Sequence, residues 1–381
     1  MGATWLMYGA EIFVALALLL QLLSTLMVLG RLGRKGPVSA PDKAPAISVL
    51  RPLCGLENNL EETLGTTFVL DYPEYEIVFC VEAPDDPAIE LAQGLIDAHP
   101  AVPARILIGP DPVSGNPKLN NLVKGWAAAR HNWIVMSDSN VLLPTDYLSV
   151  LYACWDKETG LVSAPPSGIR PVGFWAKLEC AFLNTYQARW QLAADQVGIG
   201  FAQGKTLFWR RDLLEAAGGI AQLGTEMAED VASTKITRRA GLKVRVAPRP
   251  FAQPVGKRRF SDVWGRQLRW SRVRRLGFRG YFLPEIMSGG LFPILIAALL
   301  VLLGQMPWVL LPVLFVLWYG AEFGLAWVAG WPRTVGDILS WVVRDALIAP
   351  LWGAAWASGD FEWRGNAMRA TDVPLHPGSK G

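Results

Sequence analysis

The stretch Trp133-Ile134-Val135-Met136-Ser137-Asp138-Ser139-Asn140 begins with apolar residues and ends with polar ones. Its apolar part predicts a buried strand, and Asp138 and Asn140 stand where that strand would run out into a loop. In an open α/β sheet, ligands bind at the carboxyl ends of the strands. A carboxylate there can hold a divalent cation against a diphosphate, because Mg²⁺ prefers oxygen ligands and shares them with substrate phosphates. A plain surface turn is the alternative, since Asp, Ser and Asn all favour turns.

Strand-like runs alternate with helical patterns around this stretch. Strands are predicted over residues 47–50, 75–81, 105–108, 133–137, 160–165 and 242–246. Helices are predicted over residues 57–68, 87–99, 118–130, 174–191 and from about 230 to 240, and residues 200–206 are predicted to form a turn that lines the site. Such alternation indicates βαβ units and a largely parallel sheet. Its ligand crevice would then place Asp85, Asp86 and Asp138 on one rim.

Long apolar runs lie at both ends of the chain. Residues 5–29 are long enough to span a bilayer as a helix, which takes about 20 residues. Arg31, Arg34 and Lys35 follow at once, and positive charge marks the cytoplasmic side. A cleaved signal peptide fits poorly, because the run is too long and the charge follows it. We therefore predict an anchor with the N-terminus outside and the next residues in the cytosol.

Three further apolar runs cover residues 286–304, 308–330 and 336–357. The third contains Arg344 and Asp345, which are costly at the middle of a bilayer unless they are paired or face protein. The sequence therefore predicts two or three spans at this end.

Basic residues are concentrated in residues 257–279, where nine of them alternate with aromatic side chains. A helix of that composition suits an anionic bilayer surface. Its arginines could also face a diphosphate, because the guanidinium fork matches phosphate oxygens.

The net charge and the spacing of the cysteines argue against a nucleic-acid-binding protein, a zinc-binding protein and a disulfide-rich protein. A net charge of only +3 does not suggest a nucleic-acid partner. The four cysteines are far apart with no CxxC spacing, which indicates reduced thiols instead of a zinc site or a disulfide framework.

The predicted division is a membrane anchor at 1–35, a cytosolic catalytic domain at 36–256, a basic interfacial helix region at 257–285, and transmembrane segments with a tail at 286–381.

Several short motifs follow one another in a fixed order. They are Cys80-Val81-Glu82-Ala83-Pro84-Asp85-Asp86-Pro87-Ala88, Asn116-Pro117-Lys118-Leu119-Asn120-Asn121-Leu122, Ser137-Asp138-Ser139, Ala228-Glu229-Asp230 and Arg266-Gln267-Leu268-Arg269-Trp270. Each is weak alone, but the set spans nearly the whole chain. This D, D, D, (Q/R)xxRW arrangement resembles the ceramide glucosyltransferase family, glycosyltransferase family 21, in its bacterial members.

The resemblance implies a GT-A-type, Rossmann-like nucleotide-sugar-binding domain with transmembrane helices before and after it. It also implies UDP-glucose as donor, ceramide as acceptor, Mg²⁺ or Mn²⁺ as the metal, and inversion to a β-glucoside. By position, Asp85 or Asp86 and Lys118 match donor-binding residues, Asp138 matches the metal and donor aspartate, and Asp230 matches the catalytic base.

In the same way, Arg266, Arg269 and Trp270 match the motif associated with the diphosphate and the acceptor. The implied protein lies in the inner membrane, with its active site facing the cytoplasm. One departure leaves the acceptor open: animal members carry a His-Pro pair where this chain has Asn184-Thr185-Tyr186-Gln187-Ala188-Arg189.

Three alternatives compete with the interpretation as a ceramide glucosyltransferase. The same fold could transfer N-acetylglucosamine from UDP-GlcNAc to a hopanoid lipid. A processive polysaccharide synthase shares the motif pattern, but it needs more transmembrane helices than these few apolar runs provide. A non-catalytic membrane-bound nucleotide-sugar-binding protein would lack a base, whereas Asp230 is present.

Overall fold

The computed structural model describes residues 2–33, 38–41, 43–363 and 366–368. Arg34 and Lys35, which supported the predicted orientation of the anchor, lie outside the described residues. The strands are β1 (Ile47–Leu53), β2 (Tyr75–Val81), β3 (Ala104–Ile108), β4 (Trp133–Ser137), β5 (Thr159–Ser163), β6 (Pro166–Val172), β7 (Thr206–Arg210), β8 (Lys243–Val246), β9 (Phe251–Lys257), β10 (Phe361–Trp363) and β11 (Asn366–Met368). The α-helices are α1 (Gly2–Leu32), α2 (Leu60–Gly65), α3 (Ala88–Ala98), α4 (Pro117–Ala128), α5 (Tyr147–Ala153), α6 (Phe174–Ala181), α7 (Arg189–Gln196), α8 (Arg211–Ala216), α9 (Glu229–Arg239), α10 (Phe260–Gly277), α11 (Arg279–Phe282), α12 (Leu291–Leu302), α13 (Leu310–Ala329) and α14 (Val335–Ala357).

The chain forms two compact units. The membrane-helix unit comprises, of the described residues, 2–33, 168–193 and 257–357. The sheet unit comprises, of the described residues, 38–41, 43–167, 194–256, 358–363 and 366–368. Residues 168–193 thus belong to the membrane-helix unit, although they fall inside the range that the sequence analysis gives to the cytosolic domain.

A seven-stranded mixed sheet organises the sheet unit, in the order β3-β2-β1-β4-β7-β5-β8. The first four of these strands are parallel, as the alternating pattern predicted. β7 is the exception to a parallel sheet, because it runs antiparallel to both β4 and β5. Its register sets Thr206 opposite Ser137, so the residues before β7 lie beside the residues after β4.

Each face of the sheet is covered by its own apolar core. In β2, Ile77 and Phe79 join one core, while Val78 and Cys80 join the other. Successive residues of a strand point to opposite faces, so a strand buried on both faces needs an unbroken apolar run. This burial explains why residues 75–81 and 133–137 were predicted as strands with the limits that the structure shows.

Among the residues that the structure describes, four helical segments, all in the membrane-helix unit, are long and apolar enough to cross a membrane. They cover Trp5–Leu32, Arg279–Leu302, Leu310–Ala329 and Val335–Ala357. The third apolar run at the C-terminal end is therefore a continuous helix of sufficient length, and its hydropathy is the lowest of the four.

The charged pair in α14 is fully buried and paired inside the membrane-helix unit. Arg344 donates to both carboxylate oxygens of Glu322 on α13, at 2.9 and 2.8 Å, and to Asp345 at 2.9 and 2.7 Å. Gln21 of α1 adds a hydrogen bond of 3.1 Å to Glu322. Arg344 and Asp345 are therefore paired inside the protein, as the sequence analysis required of charges in a membrane-spanning segment.

Candidate active site

The loop after β4 carries Asp138 into a cluster of opposite charges. Lys118 Nζ lies 2.6 Å from Asp138 Oδ1, and Lys205 Nζ lies 2.9 Å from Asp138 Oδ2. Lys205 arrives there because β7 is antiparallel to β4, and its carbonyl oxygen accepts from the Asp138 backbone N–H at 3.2 Å. Burial alone would raise the pKa of Asp138, but the two ammonium groups hold that pKa well below its usual range.

Lys118 stands at the centre of the cluster. Pro117 occupies the first position of α4, and the Asn116 side chain caps the helix by accepting from the backbone N–H groups of Lys118 and Leu119. The Lys118 ammonium contacts Asp138 Oδ1, Glu229 Oε1 and the Gly204 carbonyl oxygen, each at 2.6 Å. Burial disfavours this charge, but the two carboxylates outweigh burial and raise the pKa of Lys118.

Asp230 lies in the first turn of α9 and contacts the backbone of Gly204. Its Oδ2 accepts from the Gly204 N–H at 3.0 Å, and its Oδ1 accepts from the Val231 N–H at 2.8 Å. A side chain at Gly204 would displace the ends of Glu229 and Lys118, because its Cβ would lie 2.7 Å from Glu229 Oε1 and 3.2 Å from Lys118 Nζ. The small residue therefore lets two carboxylates and an ammonium lie close to the backbone of one residue.

The electrostatics of Asp230 differ from those of Asp138. Burial, and then the neighbouring Glu229 carboxylate, raise the pKa of Asp230 to about 7, against the opposing effect of Lys118. The oxygens of Glu229 are already engaged by Lys118 and, at 2.7 Å, by Asn116. Asp230 is therefore the carboxylate of this cluster that is suited to accept a proton near neutral pH.

Two oxygens after β4 converge on a single cation. Lys205 Nζ lies 2.9 Å from Asp138 Oδ2 and donates to Asn140 Oδ1 at 2.8 Å. Within the described residues, no group of three or more His, Cys, Asp or Glu side chains is arranged to hold a metal. A divalent ion that takes its other ligands from a diphosphate needs only a few protein oxygens, so Asp138 and Asn140 fit one if Lys205 moves aside.

The two candidate aspartates after β2 have different surroundings. Asp86 accepts from the Gly55 N–H with both oxygens, at 3.0 and 2.8 Å, and from the Ala88 N–H at 2.8 Å. These contacts tie the loop after β1, where Gly55 has φ +65°, to the start of α3. Both aspartates line a recess of about 610 Å³, but Asp85 is exposed whereas Asp86 is half-buried. Of the two, Asp85 is the one available to a ligand, and its contact with a donor stays a prediction.

Arg51 holds the loop after β4 in place through hydrogen bonds. This arginine was not singled out from the sequence. It is fully buried in β1 and donates to the carbonyl oxygens of Ser139 and Val141, at 3.0 and 3.2 Å. Burial lowers its pKa to about 10, so the arginine remains charged at neutral pH. Three further residues belong to the site although the sequence analysis assigned them no role: Asn116, Lys205 and Glu229. Their roles depend on contacts between segments that are far apart in the sequence.

The arginine and tryptophan of the C-terminal motif belong to the membrane-helix unit. Arg266 pairs with the buried Glu179 at 2.6 Å, while Arg269 and Trp270 are half-buried on α10. Their predicted roles toward the diphosphate and acceptor stay predictions. The structure thus brings together Lys118, Asp138 and Asp230, which the sequence had put forward separately.

The sequence model of glycosyl transferase family 21 matches residues 11–374. The chain belongs to glycosyl transferase family 21. Two relatives are similar to this family 21 chain: ceramide glucosyltransferase 1 of Caenorhabditis elegans, 28% identical over 276 residues, and the ceramide glucosyltransferase of Komagataella phaffii, 34% identical over 152 residues. The first match covers 72% of this chain and 59% of the relative, and the second covers 39% and 30%. The chain therefore spans less than two thirds of the length of these relatives.

The family 21 chain also resembles a solved structure, the mannosyltransferase PcManGT from Pyrobaculum calidifontis in complex with GDP-Man and Mn²⁺. The TM-score is 0.54 at 17% sequence identity, and the match covers 88% of this chain and 99% of the other. At that identity the likeness concerns the fold, and it confirms the predicted GT-A-type α/β architecture.

Proposed function

We propose that this chain is a membrane-bound, inverting glycosyltransferase that transfers glucose from UDP-glucose to ceramide, with its sheet unit in the cytoplasm. One observation carries the proposal: in a chain of family 21, the Lys118 ammonium contacts Asp138 and the Gly204 carbonyl oxygen, and the Gly204 N–H donates to Asp230. Inversion in one displacement needs a base for the acceptor hydroxyl and positive charge for the leaving diphosphate, and the cluster contains both.

In this proposal each residue of the cluster has a defined task. Asp230 takes the proton of the acceptor hydroxyl, and Glu229 keeps that carboxylate basic by repulsion. Lys118 holds Asp138, Glu229 and the Gly204 carbonyl in place. A divalent ion held by Asp138 and Asn140 would supply positive charge for the leaving diphosphate. Arg266, Arg269 and Trp270 keep the roles that the family motif implies.

The substrates are tested by supplying two donors and two acceptors to the purified full chain in lipid nanodiscs. UDP-glucose and UDP-GlcNAc are each combined with ceramide and with a hopanoid, and products are identified by mass spectrometry. We expect β-glucosylceramide from UDP-glucose and ceramide alone. A hopanoid product bearing N-acetylglucosamine would replace the proposed substrates, and bound UDP-sugar without any product would favour a non-catalytic protein.

The pH dependence of turnover follows from the state of Asp230. A base works when it is deprotonated, so kcat should be low below pH 7, rise through about 7, and level off above it. Glu229→Gln removes the charge that raises this pKa and should move the rising limb to lower pH. The limb is measured from initial rates at saturating substrate. A limb that stays in place in the Glu229→Gln variant contradicts the proposed role of Glu229.

Lys205 must leave the Asp138–Asn140 pair before a metal can bind there. Lys205→Met removes the competing ammonium, so we expect several-fold tighter Mn²⁺ binding in the absence of nucleotide, measured from the free Mn²⁺ signal in electron paramagnetic resonance. Lys243→Met is the matched control, since Lys243 lies 2.7 Å from Glu158 in an exposed pair. Equal Mn²⁺ affinity in the wild type and the Lys205→Met variant would show that Lys205 does not occupy the metal position.

A further inference from the structure

A second recess lies wholly within the membrane-helix unit. The loop of residues 330–334, which joins α13 to α14, borders a recess of about 480 Å³ together with Ile169 and Arg170 of β6. Both helices are long and apolar enough to cross a membrane. A loop that joins two adjacent spans lies at the surface of the bilayer, so the recess opens at the level of the lipid headgroups.

Positive charge dominates the walls of this recess. Arg170 and Arg333 both line it, and Lys177 Nζ donates to Thr334 Oγ1 at 2.8 Å. The nearby carboxylate is Asp337, which is buried and accepts from the Thr334 N–H and hydroxyl, both at 2.6 Å. In the part of the chain that the structure describes, Arg333 and Lys177 form no ion pair. Arg333 and Lys177, two cations beside one buried carboxylate, leave an excess of positive charge, and Arg170 also lines the recess.

The backbone of Arg170 is strained at the position where its side chain lines the recess. Its φ is +52°, in the left-handed region that β-carbons disfavour. The other non-glycine residue with positive φ in the described part of the chain is Asn59, a type that tolerates this conformation. Strain retained at a cavity wall indicates that the arginine side chain is used there, since glycine would adopt the backbone conformation more easily.

Exposed apolar side chains adjoin the residues that line the recess: Val335 follows Thr334, Val172 lies two residues after Arg170, and Trp327 lies beside Arg333. We call these three residues the rim of the recess. Val172, Trp327 and Val335 are exposed over 58%, 63% and 84% of their surfaces. The guanidinium of Arg333 lies 5.2 Å from the ring centre of Trp327. Tryptophan is enriched where the hydrocarbon core of a bilayer meets the headgroups, so this rim suits acyl chains while the interior suits a charged group.

We propose that the recess binds the phosphate of an anionic glycerophospholipid from the surrounding bilayer. Arg170 and Arg333 would donate to the phosphate oxygens, because guanidinium groups match them in geometry and charge. Lys177 adds positive charge, and the acyl chains lie along the exposed apolar rim. This site is separate from residues 257–279 and from the proposed sugar acceptor, because ceramide carries no phosphate.

The test measures which lipid stays bound to the full chain. The protein is reconstituted in nanodiscs of equal parts phosphatidylglycerol and phosphatidylcholine, and native mass spectrometry identifies the retained lipid. We expect a clear preference for phosphatidylglycerol. Arg170→Gly should reduce that preference about tenfold, the effect of one charge-assisted hydrogen bond, and Arg333→Gln should act similarly. Equal retention of the two lipids by the wild type, or an unchanged preference in a variant that combines Arg170→Gly with Arg333→Gln, overturns the proposal.

Two features of the experiment distinguish lipid binding in the recess from nonspecific electrostatic attraction and from misfolding of the variants. Glycine suits a φ of +52°, so Arg170→Gly removes the guanidinium and keeps the backbone. The matched control is Arg279→Gln, because Arg279 also lies 5.2 Å from a tryptophan ring centre, that of Trp356. We expect this control to keep the lipid preference. An equal loss in the control would mean that the attraction is diffuse and that the recess is not the site.

A final arm distinguishes a lipid headgroup from a free anion. An excess of inorganic phosphate should leave phosphatidylglycerol bound, because the apolar rim adds burial that free phosphate lacks. Displacement of the lipid by inorganic phosphate would make the recess a site for soluble anions and overturn the lipid assignment.

Discussion

Asp230→Asn should lower kcat by about 10²–10⁴-fold, the usual contribution of a general base, while the affinity for UDP-glucose stays within a fewfold of the wild type. Asparagine has nearly the same shape and can still accept from the Gly204 N–H, but its amide cannot take up the acceptor proton. The variant also loses a buried carboxylate that burial and Glu229 both destabilise, so we expect it to fold. Single-turnover glucosyl transfer and calorimetric donor binding measure the two quantities separately.

Asp212→Asn is the matched control for this experiment. Asp212 occupies the second position of α8, as Asp230 occupies the second position of α9, and it pairs with Arg210 on the surface. The control should keep both turnover and donor affinity. If Asp230→Asn retained most of its turnover, another group would have to be the base, and the assignment of the cluster would be wrong.

Burial made the parallel strands predictable from the sequence. A strand covered on both faces has to be apolar at every position, and β2 and β4 were found from that property. β7 gave no comparable signal of its place or direction. Residues 200–206 were predicted as a turn lining the site, and the strand that begins at Thr206 runs antiparallel between β4 and β5. The direction of a strand is decided by its partners in the sheet, which periodicity does not encode.

The residues of the candidate site likewise fall into those that the sequence revealed and those that it did not. Asp138 and Asp230 were singled out because each carboxylate stands at the end of a recognisable element and matches a family motif. The role of Lys205 depends on the antiparallel pairing of β7 with β4, which the sequence did not reveal. Residues 174–191 were predicted as one helix, and the structure places a π-helix at residues 182–188, between α6 and α7. Such a local change in helix type carries no hydrophobic signature.

Asp138→Ala should abolish the part of UDP affinity that depends on a divalent metal. The substitution removes the one carboxylate that faces both Lys118 and Lys205 and that, with Asn140, would hold the ion. Two effects then oppose each other: the metal contribution is lost, while the two freed ammonium groups can attract the diphosphate directly.

Comparing UDP binding with Mn²⁺ and with a chelator separates these effects, because the lysines act in both conditions and the metal in one. Losing one partner of a close charge pair costs about 2 kcal/mol or more, roughly thirtyfold in Kd. We therefore expect isothermal calorimetry to show a marked metal dependence in the wild type and a Kd ratio near one in Asp138→Ala. Asp156→Ala, which removes an exposed partner of Arg245, should keep the wild-type ratio. Metal-dependent UDP binding that survived in Asp138→Ala would place the cation elsewhere, and the residues after β4 would then serve only to hold the two lysines.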